Sequence, residues 1–106
     1  MVFDGNLSLK VYDLLKKIPR GKVTTYSEIA KVLGNMNLAR AVGNTLNRNP
    51  DLVSVPCYRV VRSDGSVGGY KLGCGKKIEL LESEGVEIKD GRIDCLEAYL
   101  FCFKGQ

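Results

Sequence analysis

The sequence contains 106 residues, of which 44% are hydrophobic and 26% are charged, and its formal net charge is +4. This length predicts one domain over residues 1–106, and the composition is typical of a folded protein rather than of a disordered chain. No apolar run approaches the roughly 18 residues of a membrane span, and residues 1–4 lack the basic segment of a signal peptide. We therefore expect a cytoplasmic protein, or a nucleoid-bound or nuclear one, without a membrane partner.

The first predicted element is an amphipathic helix from Leu7 to Ile18, where apolar residues recur at helical spacing and lysines occupy the opposite face. A short extended segment follows at residues 23–25. Thr25 and Glu28 have the spacing of a capping box, so we expect a second helix over about residues 26–34.

A third helix is predicted from about Leu38 to Asn47. Two short helices joined by a turn that contains glycine outline a helix-turn-helix, whose second helix enters a groove of DNA. Many helical hairpins bind no nucleic acid, so this outline alone leaves DNA binding open. The positive net charge permits DNA binding but does not establish it.

The second half of the chain is predicted to be richer in loops. Asn49-Pro50-Asp51 ends the third helix, and residues 52–61 form a loop that leads into an apolar segment. A wing-like loop at residues 68–70 precedes a last strong helix over about Lys76–Ser83, and a small hairpin follows over 86–93. The predicted fold class is mainly α, a winged helix-turn-helix-like domain with short strands in the wing and in the C-terminal tail.

The four cysteines are spaced unlike the ligands of any zinc site, and the chain contains no histidine. We expect neither a metal nor a cofactor. Cys95 and Cys102 are interpreted as small buried hydrophobic residues, and Cys74 is expected in a loop between two glycines. The fourth cysteine, Cys57, lies in a different setting.

Cys57 follows a proline and precedes an arginine by two residues, in the stretch Val55-Pro56-Cys57-Tyr58-Arg59-Val60-Val61. The proline fixes the backbone before the cysteine. A thiol must be deprotonated to act as a nucleophile, and a nearby cation or a helix N-terminus favours the thiolate. The sequence therefore identifies Cys57 as a candidate nucleophile, with Arg59 as the nearest cation in the chain.

This stretch resembles the Pro-Cys-His-Arg-Val motif in the C-terminal, active-site domain of the O6-alkylguanine-DNA alkyltransferases. The resemblance runs from about Leu7 to Gly85, and several separate blocks match in order and spacing. They are Gly21-Lys22-Val23 with Thr25-Tyr26, Ala39-Arg40-Ala41-Val42-Gly43, Arg48-Asn49-Pro50, Val67-Gly68 with Tyr70, and Leu80-Leu81 with Glu84-Gly85.

The resemblance implies a chemical role for Cys57 and a DNA-binding role for the third helix. Cys57 would take the alkyl group from guanine O6 in one irreversible transfer. Arg40 would enter through the minor groove and fill the gap that the flipped nucleotide leaves, and Arg59 would contribute to DNA binding. Three small residues would keep the helix slim enough to approach DNA: Ala39, Ala41 and Gly43.

The resemblance also assigns residues to the base and to the active-site loop. Tyr26 would help rotate the nucleotide and hydrogen-bond the base. The backbone at Cys57 and Val60 would read the amino group of guanine, and Tyr70 would cover the pocket. Asn49 would brace the turn around the active site.

The chain departs from the family pattern at three positions. Tyr58 replaces a histidine that normally links a glutamate, here Glu84, through a water to the cysteine, and a phenol is a poor base at neutral pH. It can still hydrogen-bond and hold Glu84 or a water in place. Lys71 replaces a serine beside guanine O6, to which it could donate a hydrogen bond, and Leu52 replaces a proline of the active-site loop.

These observations lead to three hypotheses about function. The first is a methyltransferase, favoured because Cys57 is retained. The second is a protein similar to the alkyltransferase-like proteins, which also lack the family's N-terminal domain, bind alkylated guanine and recruit other repair factors without transferring the group. The third is an ordinary helix-turn-helix transcription regulator. The expected partner in the first two is double-stranded DNA that contains O6-alkylguanine, bound by a monomer, with other repair proteins as further partners.

Overall fold

The computed structural model describes residues 4–52, 54–101 and 103. The helices are α1 (Asp4–Leu15), α2 (Tyr26–Val32), α3 (Ala39–Asn47), α4 (Cys74–Ser83) and α5 (Leu96–Tyr99). The strands are β1 (Thr24–Thr25), β2 (Val60–Val61), β3 (Ile88–Lys89) and β4 (Arg92–Ile93). Among these residues, no helix is both long enough and apolar enough to cross a membrane.

The prediction of a mainly helical, helix-turn-helix-like domain is confirmed. Thr25 accepts a hydrogen bond from the Glu28 backbone N–H at 3.0 Å and so caps α2, as the capping-box spacing predicts. Gly34 has a φ of +93°, the left-handed conformation that follows many helices and favours glycine. A 3₁₀ turn, Met36–Leu38, then leads directly into α3, which packs against α2 and α1.

Two hydrophobic clusters hold the elements together. The first lies beneath α1, α2 and α3 and includes Cys57, and the second lies beneath α4 and the C-terminal tail. The parallel pair of β1 and β2 joins them, because Val60 belongs to the first cluster and Val61 to the second. Alternate side chains of a strand point to opposite faces, so this two-residue strand contributes to both.

The tail contains the predicted hairpin and one element that was not predicted. β3 and β4 pair antiparallel through Asp90 and Gly91, which have φ values of +54° and +75°. This two-residue turn with two positive φ angles suits the twist of a hairpin. The short helix α5 had no sequence signal, since four residues carry too little periodicity to be recognised.

The predictions for the other cysteines are partly wrong. Cys95 is exposed rather than buried, because it occupies a left-handed position with φ +65° just before α5 and faces solvent. Cys74 is the first residue of α4, which begins two residues before the predicted start, and it is also exposed. Cys102 lies outside the described residues.

Candidate active site

The residues around Cys57 form a tight turn that presents its side chain. Pro56 has φ −80° and ψ 71°, and the Cys57 N–H donates to the Val55 carbonyl at 2.8 Å. This is an inverse γ-turn, and the proline ring favours it by fixing φ. Cys57 then opens a single 3₁₀ turn, Cys57–Arg59, and is 5% exposed.

The side chain of Cys57 faces a cavity of about 490 Å³ between α2, α3 and the wing loop. Seven residues predicted for the site line it: Tyr26, Ala39, Arg40, Gly43, Cys57, Tyr70 and Lys71. Five further residues complete the lining: Asn44, Leu46, Asn47, Arg62 and Gly69. Most of the predicted binding residues are therefore brought together around the thiol.

The N-terminal half of α3 forms one side of the cavity mouth. Arg40 is exposed there, in the first turn of α3. A Cβ atom placed on Gly43 would lie 3.9 Å from Cε1 of Tyr26, an ordinary contact, so the protein itself has room for a larger residue. Ala41 is half-buried and does not line the cavity, so its predicted place beside the DNA is not supported by this geometry.

Asn49 holds the loop that carries Cys57. Its side chain is fully buried, donates to the Val55 carbonyl at 3.0 Å and accepts from the Asp51 N–H at 2.9 Å. Its carbonyl accepts from the Lys71 ammonium at 3.0 Å. Asn49 thus connects both ends of the active-site loop with the wing loop, a geometry that fits the expected brace.

Tyr58, Arg59 and Glu84 form a separate cluster behind the cysteine, which we call the carboxylate cluster. Arg59 binds Glu84 through two nitrogens, at 3.1 and 2.7 Å, and also donates to the Ile18 carbonyl. The Tyr58 hydroxyl donates to Glu84 at 2.5 Å. Gly21 completes the cluster with its backbone N–H, 3.1 Å from the carboxylate.

Glycine is required at position 21 for two reasons. Its φ is +85°, and a Cβ atom there would lie 3.2 Å from the Glu84 carbonyl oxygen. The block Gly21-Lys22-Val23 therefore has a structural explanation, since the glycine lets its N–H reach the Glu84 carboxylate.

The pKa shifts in this cluster argue against Tyr58 as a base at neutral pH. Burial and the hydrogen bond to Glu84 raise the pKa of Tyr58 to about 12. Burial alone would raise the pKa of Glu84, but hydrogen bonds from Arg59, Tyr58 and Gly21 hold it below its usual value. The phenol therefore keeps its proton and the carboxylate stays ionised.

Arg59 does not face the cavity, so the expectation that it favours the Cys57 thiolate or contacts DNA is not supported. Its side chain forms an ion pair with Glu84, donates a hydrogen bond to the Ile18 carbonyl and is 14% exposed. Val60 also lies outside the cavity lining. Its side chain is fully buried and its N–H donates to the Cys57 carbonyl, so reading of a base by these backbone groups stays a prediction.

Lys77 was missed by the sequence reasoning and lies close behind the cavity. It is fully buried, and its ammonium donates to the Gly69 carbonyl at 3.0 Å and lies 6.0 Å from the ring centroid of Tyr26. Burial lowers the pKa of Lys77 to about 8. One sequence signal could have indicated that Lys77 is buried. This lysine lies four residues before the apolar Leu81 and therefore on the same face of α4.

Burial raises the pKa of the Cys57 thiol, and three neighbours oppose that effect. The Asn49 side chain hydrogen-bonds the thiolate, and the positive charges of Lys77 and Lys71 stabilise it. Arg59 or a helix N-terminus was expected from the sequence to stabilise the thiolate, but in the structure the two lysines do so. A second cation missed from sequence, Arg62, lines the cavity directly after β2.

A comparison with protein families matches residues 6–86 of the chain to a family model. The matching family is described as 6-O-methylguanine DNA methyltransferase, DNA binding domain. All the cavity residues and the carboxylate cluster lie within the matched range.

Two curated relatives illustrate the sequence similarity. A bifunctional methyltransferase/endonuclease of Picrophilus torridus is 52% identical over 91 residues, which are 86% of this chain and 30% of that protein. A methylated-DNA–protein-cysteine methyltransferase of Methanothermobacter thermautotrophicus is 45% identical over 80 residues, 76% of this chain and 44% of the relative. The chain thus spans less than half the length of either.

Two solved structures illustrate the structural similarity. S. pombe Atl1 in complex with damaged DNA containing O6-carboxymethylguanine matches with a TM-score of 0.81 and 36% identity, over 95% of this chain and 98% of that one. The O6-methylguanine-DNA methyltransferase of Pyrococcus kodakaraensis matches with a TM-score of 0.69 and 47% identity, over 76% of this chain and 46% of that one.

Proposed function

Because the chain belongs to the 6-O-methylguanine DNA methyltransferase family, we propose that it is a DNA repair protein that binds O6-alkylguanine and transfers the alkyl group to Cys57. The observation that carries this proposal is the position of the Cys57 thiol, which faces a cavity whose mouth is formed by α3. A cavity of about 490 Å³ lies within the size range of small-molecule sites, sufficient for a base rotated out of the duplex.

The binding step depends on the cationic mouth of the cavity and on two tyrosines. Arg40 and Arg62 line the cavity at exposed positions, where they can contact phosphates or, for Arg40, the space that the flipped nucleotide leaves. Tyr26 and Tyr70 line the cavity walls and offer aromatic surfaces and hydroxyls to the base. Small lining residues on α3, Ala39 and Gly43, leave room for the DNA backbone.

The transfer step replaces the thiol proton of Cys57 by the alkyl group. The sulfur electron pair attacks the alkyl carbon, a sulfur–carbon bond forms, and the bond between that carbon and guanine O6 breaks. The guanine leaves with the electron pair and takes up a proton, so that the products are a thioether and normal guanine. No further reactant is consumed, and each molecule acts once.

Deprotonation of Cys57 is supported by the lysines rather than by Tyr58. The ammonium groups of Lys77 and Lys71 stabilise the thiolate, whereas the Tyr58 hydroxyl already donates to Glu84. The tyrosine holds the carboxylate in place but supplies no base. We therefore expect transfer to proceed, at a rate that increases with the fraction of Cys57 that is deprotonated.

The second candidate is lesion binding without transfer. It is favoured by the raised pKa of the buried Cys57 and by the raised pKa of Tyr58, which keeps its proton at neutral pH. In this case the cavity would hold the alkylated base while other repair proteins act. The two candidates share the binding step and differ only in the fate of the alkyl group.

The decisive experiment follows the alkyl group on the DNA. Duplexes with one O6-methylguanine are mixed with excess protein, and the methylated base is quantified against time at several pH values. We expect single-turnover loss in the natural protein that becomes faster as pH rises. Cys57→Ser, the matched control, should bind the lesion and leave it intact.

Two outcomes would contradict the proposal. Tight lesion binding with no loss of the methyl group at any pH would favour the second candidate. Equal affinity for methylated and unmodified duplexes would contradict both, and a preference for one undamaged sequence would indicate a transcription regulator.

A further inference from the structure

The cavity beside Cys57 is strongly cationic. Arg40, Arg62 and Lys71 line it, and no aspartate or glutamate of the described chain does. The buried ammonium of Lys77 lies directly behind the wall that Gly69 and Tyr26 form. This concentration of positive charge exceeds what a neutral methyl group on a neutral base requires.

Three of the four cations, Arg40, Arg62 and Lys71, are exposed, and Lys77 is buried. Arg40 and Arg62 are exposed at the mouth, where the phosphates of the DNA backbone account for them. Lys71 and Lys77 are instead among the charges that act on the Cys57 thiol. Of these two, Lys71 lines the cavity together with Cys57, and its ammonium is held by the carbonyl of Asn49, the residue that braces the Cys57 loop, so it is the lysine nearest to where the substituent on guanine O6 would lie.

We propose that the cavity prefers O6 substituents that carry a negative charge, such as a carboxymethyl group, and that Lys71 is the residue that selects them. This inference rests on the proposed binding of alkylguanine in the cavity. It adds a substrate class to that function, because a neutral methyl or ethyl group has no charge for the lysine to recognise.

The geometry of Lys71 supports this role. Its ammonium donates to the Asn49 carbonyl at 3.0 Å, which holds the side chain against the active-site loop. A lysine ammonium has three N–H donors, so two more are available to a carboxylate by valence. Hydrogen bonds between charged partners are stronger than neutral ones and are sensitive to the charge of the acceptor.

Repulsion among the cations also favours an anionic substituent in the cavity. The pKa of Lys77 is lowered mainly by burial and, to a smaller extent, by the positive charge of Arg62. An anion placed between these side chains would relieve that repulsion. The thiolate of Cys57 does so in part, and an anionic substituent would add to it without changing the fold.

The test compares two substituents of the same shape. Binding of the full chain carrying Cys57→Ser, a change that prevents transfer during the measurement, is measured to four duplexes. They contain O6-carboxymethylguanine, its neutral amide O6-carbamoylmethylguanine, O6-methylguanine or unmodified guanine. We expect about tenfold or tighter binding of the carboxymethyl than of the carbamoylmethyl duplex, in keeping with a charge-assisted hydrogen bond. The ratio of these two affinities should decline as salt is added.

Two variants assign the preference to Lys71. Lys71→Gln should remove most of the preference for the carboxymethyl duplex, and Lys71→Arg should retain most of it. Lys76→Gln is the matched control, because Lys76 is exposed, pairs with Glu79 and does not line the cavity. It should leave the ratio unchanged.

The outcomes separate the inference from the function on which it rests. If the methylated duplex binds more tightly than the unmodified one but the carboxymethyl and carbamoylmethyl duplexes bind equally, the charge preference is wrong and the function stands. A charge preference that survives in Lys71→Gln would overturn the role of Lys71. Equal binding of all four duplexes would overturn the proposed function itself.

Discussion

Cys57 and Tyr58 are neighbours in the chain, but their side chains enter regions of opposite electrostatic character. Cys57 faces a cavity whose cations have no carboxylate partner among the lining residues. Tyr58 enters the carboxylate cluster, where Glu84 is bound by Arg59, by Tyr58 itself and by Gly21. The rings of Tyr58 and Tyr70 meet edge to face, 6.4 Å between centroids, at the boundary between the two regions.

The difference separates residues that stabilise the fold from residues that we propose serve binding and transfer of the alkyl group. In the carboxylate cluster each charge has a partner, so removing one leaves a buried charge alone. Behind the cavity wall, the buried Lys77 hydrogen-bonds the Gly69 carbonyl and lies over the Tyr26 ring, but no carboxylate of the described residues pairs with it, an arrangement that lowers stability. Unpaired buried charge is common where a protein binds or activates something, since it is retained against its cost to folding.

The largest expected effect is the loss of Glu84. Glu84→Gln leaves the Arg59 guanidinium, 14% exposed, without its counter-charge, and breaking such a buried pair costs roughly 3–5 kcal/mol in the free energy of unfolding. Denaturant unfolding of the natural protein and of Glu84→Gln measures this loss of stability. The matched control is Glu79→Gln, which breaks an exposed ion pair within α4 and should cost less than about 1 kcal/mol.

The stability conferred by Glu84 should depend on pH in a defined direction. Its pKa is lower in the folded protein, so its contribution is present above the unfolded value of about 4.3 and is lost as pH falls through the folded value. The stability difference between the natural protein and Glu84→Gln should therefore shrink in acid. A difference that stays constant down to acidic pH would contradict the ion pair.

The next largest effect has the opposite sign. The pKa of Lys77 falls from 10.5 to about 8, and one pKa unit corresponds to about 1.4 kcal/mol, so Lys77→Met should stabilise the protein by up to roughly 3 kcal/mol at pH 7. The same change should slow alkyl transfer, because the thiolate loses a cation. Unfolding and single-turnover transfer are measured on the same samples.

The pH dependence of this variant also follows from the sign of the shift. The charged form of Lys77 is disfavoured in the folded state, so the natural protein should gain stability relative to Lys77→Met as pH rises from about 8 towards 10.5. Lys76→Met, at an exposed neighbouring position, should show neither effect. A loss of stability in Lys77→Met at pH 7 would contradict the account of the cavity.

A smaller effect is expected at Gly43, on the cavity side of α3. Alanine is favoured over glycine in a helix by about 1 kcal/mol, and the nearest atom to an added Cβ is 3.9 Å away, so Gly43→Ala should stabilise the fold by about that amount. Affinity for duplex DNA should nevertheless fall, because the methyl group narrows the cavity mouth. Unchanged DNA affinity would show that α3 approaches the DNA by another face.

The smallest effect on stability is expected for Arg40, which is exposed and makes no contact that the fold requires. The free energy of unfolding of Arg40→Ala should lie within about 0.5 kcal/mol of that of the natural protein. Base flipping, followed with a fluorescent base analogue, and alkyl transfer should both weaken more than in Lys10→Ala, an exposed change on α1. Equal small losses in both variants would count against a role in flipping.

The elements with regular periodicity were predictable from sequence. The apolar spacing of α1, the Thr25 cap of α2 and the Asp90-Gly91 turn are local signals, and each is found close to its expected position. The helix α5 and the parallel pairing of β1 with β2 were not predictable. They depend on contacts between distant segments rather than on local preference.

The site residues that match a sequence motif were predictable. Residues whose role depends on their three-dimensional neighbours were harder to predict. Cys57, Arg40, Tyr26 and Tyr70 are found around one cavity as expected. Proximity in sequence was misleading for Arg59, because Glu84 lies 25 residues away and binds it on the other side of the turn. Lys77 was missed because a lysine on an amphipathic helix is usually solvated.

The most direct test of the central claim is peptide mass mapping of the protein after reaction with DNA containing O6-methylguanine. Cys74 and Cys95 are exposed and serve as internal controls for non-specific alkylation, whereas Cys57 is buried beside the cavity. We predict one methyl group on Cys57 and none on Cys74 or Cys95. An unmodified Cys57 in protein that binds the lesion, or methylation spread over the exposed cysteines, would contradict the claim that the cavity presents the alkyl group to Cys57.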